Sequence, residues 1–231
     1  MNDQPLAQYL NPQTHQLITV TYAAYDNRNP LTNDYLTDGD DEAAFKFVIE
    51  NLNCSNIIDE LTNDLFAGDP DAYQTEHDRF DNAHDLFVDL QKLAQQKHQL
   101  IYPITKYEHS GVQYYLGADS GWDYSVCGYV LVDQSKNPAN DETETIENYL
   151  QPILADVTDY VNGHVYDINF FNLTDNNEPD EDDGSVMAYT AYGHNFDYAD
   201  LDQVLAGFDL TNQADWHPAE TIIRKSYQIA E

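Results

Sequence analysis

Apolar and polar positions change period several times along the 231 residues. Residues 15–22 (HQLITVTY) alternate loosely and predict a strand. Residues 27–41 are polar, contain Pro30 and Gly39, and read as a loop. Residues 42–52 and 55–66 read as two short helices, the second opened by Ser55 as N-cap and closed by Gly68. Residues 69–98 give the clearest helical signal, because Tyr73, Phe80, Ala83, Phe87, Leu90 and Ala94 recur at three- and four-residue steps.

The text then changes character. Residues 100–107, 112–116 and 125–133 are short, β-branched, aromatic and bounded by glycines, which predicts three antiparallel strands. Residues 141–162 return to helix, with Ile146, Tyr149, Leu150, Ile153, Leu154, Val157 and Val161 on one face and Pro152 expected to kink or restart it. Residues 164–173 and 185–192 read as a hairpin around the acidic loop 175–184. Two terminal helices are expected over 198–208 and 218–230, the latter with proline in its first turn. The expected fold class is α+β, an antiparallel sheet with acidic helices packed on it. It forms a single domain over 1–231, with an acidic helical segment 31–98, a neutral β core 100–140 and an acidic segment 141–215.

Composition supports a folded chain: hydrophobic residues make up 42%, aromatic residues 13%, and tyrosine alone occurs 18 times. Disordered acidic chains lack these side chains, which bury surface. No run approaches the length of a membrane-spanning helix. The opening MNDQPLAQYL has neither a basic region nor an apolar run, so no signal peptide is expected. Cys54 and Cys127 are far apart and lack metal-type spacing, which points to reduced thiols in a cytoplasm.

Charge is the outlying quantity. The chain holds 42 acids against 9 bases, a net of −33. Duplex DNA carries one charge per ~1.7 Å of axis, so this equals roughly 16 base pairs. The charge is also uneven: residues 31–90 hold 16 acids and two bases, residues 91–140 four of each, and residues 141–231 hold 20 acids and two bases. Adaptation to high salt would acidify every exposed surface alike, whereas here a neutral centre separates two acidic flanks.

On the long predicted helix, Asp71, Asp78, Asp81, Asp85 and Asp89 fall within roughly 80° of one another, opposite the apolar face. Ordinary solvated faces mix signs, because like charges at i,i+4 destabilise a helix by ~0.2–0.5 kcal/mol. Along 141–162, Glu144, Glu147, Asp156 and Asp159 are expected to line the outer side. Asp180, Glu181, Asp182 and Asp183 crowd the hairpin loop. An EF-hand alignment on Gly184 puts Pro179 first and Thr190 twelfth, and one on Gly39 puts Leu36 and Phe45 at ligand positions, so neither is a calcium loop. His77, Asp81 and His84 lie within two helical turns, but the two histidines border the apolar face and read as core-edge residues.

The neutral block 102–132 contains Glu108, His109, Ser110, Asp119, Ser120, Asp123 and Cys127, which could compose an acyl-transfer site, yet nothing in the spacing fixes a nucleophile beside a base. Gly111, Gly117, Gly121 and Gly128 read as turn and bulge positions, Trp122 as a core or staple aromatic, and Asp123 as a turn residue.

The segments YPITKYEHSG (102–111) and WDYSVCGYV (122–130) resemble an uncharacterised family of proteins carried by bacterial phages and plasmids, with its PLYLYDHSG-like and WDSGQVGFIYV-like segments. YVNGHVY (160–166) resembles that family's YLTGDVYG-like turn, and MAYTAYG (187–193) weakly resembles its closing CWGFYG-like strand. Residues 124–127 depart from the Ser-Gly-Gln-Val run, and the Cys-Trp pair is absent. The resemblance implies a mobile element inside a bacterium and transfers no catalytic role. Together these features lead to the expectation of a DNA mimic. Such a protein would inhibit a host restriction or CRISPR nuclease complex, bind neither nucleic acid nor membrane directly, and use no catalytic residue, cofactor or metal. An enzyme working through 108–127, or an acidic accessory protein recruiting a basic partner, is the alternative.

Overall fold

The structure, a computed structural model, describes residues 5–23, 29–31, 45–66, 83–118, 121–135, 146–175, 178–180, 185–194, 196–210 and 215–219. In chain order the elements are β1 (Ala7–Asn11), β2 (Gln16–Tyr22), β3 (Phe45–Ile49), α1 (Ile57–Phe66), α2 (Ala83–Gln96), β4 (Gln99–Glu108) and β5 (Val112–Leu116). They continue with β6 (Tyr124–Asp133), α3 (Ile146–Asn162), β7 (Val165–Asn172), β8 (Ser185–Tyr192), α4 (Leu201–Ala206) and β9 (His217–Pro218). The class is α+β, built on two antiparallel sheets with a few helices. Residues 1–231, read from the sequence as one domain, group by contact into two compact units: Asn29–Thr158, the central unit, and Met1–Arg28 with Asp159–Glu231, the terminal unit.

The central unit holds a sheet of order β3-β6-β4-β5. The three strands expected between 100 and 133 are present, and β3 joins them where a helix was expected over 42–52. The reason is burial on both faces. Phe45, Phe47 and Ile49 point to one side, where Phe45 stacks on Tyr149 of α3 with ring centroids 4.9 Å apart. Lys46 and Val48 point to the other, where Val48 packs with Leu61, Leu65 and Tyr129 beneath α1 and α2. A strand covered on both faces loses its alternation, and its near-continuous apolar run then fits either period.

Lys46 Nζ donates to Glu60 Oε1 at 2.9 Å and Asp64 Oδ1 at 2.6 Å, and the Tyr129 hydroxyl donates to Asp64 Oδ2 at 2.9 Å. Charge-assisted bonds of this kind fix the side of β3 and β6 on which α1 lies. The helix is capped by Asn56 rather than Ser55: Asn56 Oδ1 accepts the Asp59 N–H at 3.3 Å. The helix read over 69–98 is seen from Ala83 to Gln96; residues 67–82, and with them Gly68, lie outside the described residues. It stops at His98, whose φ of 58° turns the chain into β4. On the opposite face of the sheet α3 runs through Pro152 as one helix, burying Leu150, Leu154 and Val157. The Tyr114 N–H of β5 donates to Thr158 Oγ1 at 3.0 Å.

The terminal unit holds a sheet of order β8-β7-β2-β1-β9. The expected 164–173/185–192 hairpin forms as β7 and β8, with a register shift between Phe170 and Phe171. One face carries Tyr9, Ile18, Val20, Tyr166, Ile168 and Phe170, which pack against Val204, Leu205, Phe208 and Trp216. Burial of each such side chain stabilises by about 1.5–3 kcal/mol. The expected 198–208 helix shortens to α4, capped by Asp200, whose side chain accepts the Asp202 N–H. Pro218, expected to start a helix, instead pairs with Tyr9 as part of β9; residues 220–231 lie outside the described residues. The short strand β1 has two polar positions in five, Gln8 and Asn11, which hide its alternation.

Burial raises the hydroxyl pKa of several tyrosines in this unit. Tyr189, which donates to the Val204 carbonyl at 2.9 Å, is pushed from 10.0 up to about 12, and Tyr166 is raised by burial and then by neighbouring tyrosines and carboxylates. A raised folded-state value favours the neutral phenol, so this stability is complete below pH 10 and is lost as pH rises through the folded values. The melting temperature is therefore expected to fall steadily between pH 10 and 12, with tyrosinate absorbance rising together with unfolding measured by circular dichroism.

Candidate functional site

The terminal unit is acidic. Among the described residues of the terminal unit there are ten carboxylates, from Asp159 to Asp215, and neither lysine nor arginine. Asp197, Asp200 and Asp202 are exposed around one turn at the start of α4. Asp197 Oδ1 accepts the Ala199 N–H at 2.9 Å and Asp200 Oδ1 the Asp202 N–H at 3.0 Å, so local bonds hold both side chains. Burial first, then Asp197 and Asp200, raise the Tyr9 phenol. This acidic turn went unremarked in the sequence, although DYADLDQVLAGFD carries four aspartates in 13 residues and no base.

The acids singled out from sequence are placed unevenly. Asp71, Asp78, Asp81, Glu144, Glu181, Asp182 and Asp183 lie outside the described residues, as do the side chains of Asp85 and Asp89 on α2. His77 and the side chain of His84 lie outside them too. Glu147 is exposed on α3 and adds to the burial that raises the Tyr102 phenol. Asp156 is half-buried, and nine residues at 100° each put it on the opposite side of the helix from Glu147. Asp180 is half-buried; its N–H donates to the Asn172 carbonyl at 3.0 Å.

Asp159 does not line an outer face. It is 7% exposed, and its Oδ2 accepts the His194 N–H at 2.6 Å and lies 2.7 Å from His194 Nδ1. His164 Nδ1 stands 3.7 Å from Oδ1, and the His164 N–H donates to the Asp159 carbonyl at 2.8 Å. An ionised carboxylate only accepts, so the His194 proton belongs on Nδ1, which leaves Nε2 as the acceptor of the neutral ring. The carboxylate ties the end of α3 to the turn after β8. Asp159→Ala leaves the His194 N–H without its acceptor and should cost about 2 kcal/mol; Asp159→Asn keeps an oxygen there and should cost less. Urea-denaturation midpoints of the two variants measure the difference.

The described candidates of the 108–127 block are spread between the exposed ends of β4 and β6 and the buried Cys127. Cys127 is buried, its thiol donating to the Ile104 carbonyl at 3.7 Å and pushed up to about 12 by burial. A thiol so protonated is a poor nucleophile. Both cysteines are free. His109, in the turn between β4 and β5, and Asp123, just before β6, are exposed with Nδ1 and Oδ2 3.8 Å apart, and Lys106 Nζ pairs with Glu108 Oε2. Asp119 and Ser120 lie outside the described residues. Trp122, expected as a core or staple aromatic, is 104% exposed. Gly117 turns the chain at φ 116°, while Gly128 faces a bulge between Ile104 and Thr105. Among the described residues no group of His, Cys, Asp and Glu is arranged to hold a metal, and no helix is long and apolar enough to cross a membrane.

Comparison of the chain with protein-family models, curated proteins and solved structures gives no match.

Proposed function

We propose that the protein is a DNA mimic of a mobile genetic element. It occupies the nucleic-acid-binding groove of a host restriction or CRISPR nuclease complex in the bacterial cytoplasm. The observation that carries this reading is the net charge of −33, held by a chain with the aromatic content of an ordinary folded protein. Folding such a chain works against its own repulsion, a cost that a cationic partner relieves. The exposed acids of the terminal unit support the reading, since no described lysine or arginine of that unit is there to balance them. Free thiols in Cys54 and Cys127 agree with a reducing compartment. The phage and plasmid resemblance of residues 102–193 supports the mobile-element setting.

The test is capture of host proteins at low and moderate salt, followed by competition with duplex DNA for whatever is recovered. Long-range attraction predicts recovery of a nuclease subunit with a basic channel, lost steeply as salt rises. Asp197→Asn, Asp200→Asn and Asp202→Asn together should weaken that capture while preserving the helix cap, because asparagine caps as well as aspartate. Recovery that is indifferent to salt would exclude the reading.

A further inference from the structure

The corner that leads the chain into β6 is a built structure. Gly121 and Tyr124 form a bridge, the Tyr124 N–H donates to the Gly121 carbonyl at 3.4 Å, and Trp122 and Asp123 occupy the corner between them. The Glu108 N–H donates to the Asp123 carbonyl at 3.0 Å, tying the corner to the end of β4. The Tyr124 ring centroid lies 4.9 Å from that of Tyr107 and 6.3 Å from that of Tyr115, which it meets edge-on. It also lies against the turn, since a Cβ on Gly121 would meet it at 2.7 Å. On this support Trp122 is fully in water, and Asp123, next to it in the chain, and Glu108, at the end of β4, are exposed as well. A fold that buries Trp216 and leaves Trp122 outside forgoes the largest apolar contribution a side chain can make.

We infer that this corner is a guanidinium-binding platform that takes an arginine side chain of the cationic partner. The inference rests on the reading above and supplies the partner's chemistry. Indole and phenol faces attract cations, tryptophan most strongly, and arginine adds planar stacking and a fork of donors for a carboxylate. Charge decides among the groups that stack on aromatic rings. A nucleotide brings phosphate to a protein of charge −33, and a neutral sugar takes nothing from that field. A guanidinium is drawn by both the field and the rings. Lys106 holds Glu108 from one side and His109 Nδ1 stands 3.8 Å from Asp123 Oδ2; both carboxylates are partly exposed, and Asp123 is the nearer to Trp122 in the chain.

The chain has two tryptophans, one exposed and one buried, so its fluorescence reports Trp122 to added ligands and quenchers. The probes are an arginine homopeptide and a lysine homopeptide of equal length, followed on the full chain by fluorescence polarisation and tryptophan emission. Both peptides should bind through charge, with arginine alone altering Trp122 emission and shielding it from quencher. Trp122→Ala should weaken the arginine peptide about two- to fivefold and leave the lysine peptide nearly unchanged. Trp122→Tyr should retain most of the affinity, whereas Trp122→Leu, apolar but without a π face, should behave like alanine. Unchanged emission, equal effects on the two peptides, or full rescue by leucine would overturn the platform while the charge-driven binding stands. Absence of salt-sensitive binding to either peptide would overturn both.

Discussion

Gly128→Val is expected to unfold the central unit. Gly128 lies in β6 opposite Ile49 of β3, and even a Cβ there would run into the Val48 carbonyl oxygen. That oxygen is backbone in the neighbouring strand, so no rotamer change can move it aside. Relief requires β3 to separate from β6, which exposes Phe45, Phe47 and Ile49 on one face and opens the Val48–Leu61–Leu65 cluster on the other. The cost should exceed about 4 kcal/mol, a large part of the ~5–15 kcal/mol that holds a domain together. Gly117→Ala is the contrast: its φ of 116° is strained for alanine, but nothing lies within 4 Å, so about 1 kcal/mol should be lost. Thermal melts of the two variants should separate a steric cause from a conformational one.

The second large effect concerns binding. Changing Asp78, Asp81, Asp85 and Asp89 together to asparagine is expected to weaken partner binding by about 10²–10³-fold at low salt. The estimate takes about 1 kcal/mol for each charge, below the ~1.5–7 kcal/mol coupling of close interfacial ion pairs. Of the four, Asp85 and Asp89 stand four apart on α2, and removing that like-charged pair should raise the stability of α2 slightly. Loss of binding with unchanged or higher melting temperature would separate function from folding. The salt dependence should flatten in the same variant, since fewer charges then meet the partner.

Much of the fold was legible where one face of an element is buried. β2, β4, β5, β6, β7 and β8 alternate or are bounded by turn residues, and α3 shows its apolar stripe. Legibility failed where a partner distant in the chain sets a residue's environment. Phe45–Ile49 was read as helix because a strand buried by α1 on one side and α3 on the other has no polar face to alternate with. Asp159 reads as one more surface acid on α3. Its burial is decided by His194, 35 residues later, and no local pattern announces that pairing. Trp122 was read as a core or staple aromatic on its chemistry alone; its place at the corner of a two-residue turn sends it into solvent. Net charge was visible at once, but its arrangement was not. Two acids on α3 read as one face, Glu147 and Asp156, lie half a turn apart, and the turn from Asp197 to Asp202 was passed over.

Competition with DNA tests the central claim most directly. A labelled duplex is bound to a host nuclease complex recovered by the capture proposed above, the protein is added in rising concentration, and duplex release is followed at two salt concentrations. Stoichiometric release that weakens steeply at the higher salt, and that the Asp78/Asp81/Asp85/Asp89→Asn chain fails to produce, is the predicted result. Simultaneous binding of protein and duplex, or release unaffected by those four substitutions, would contradict it.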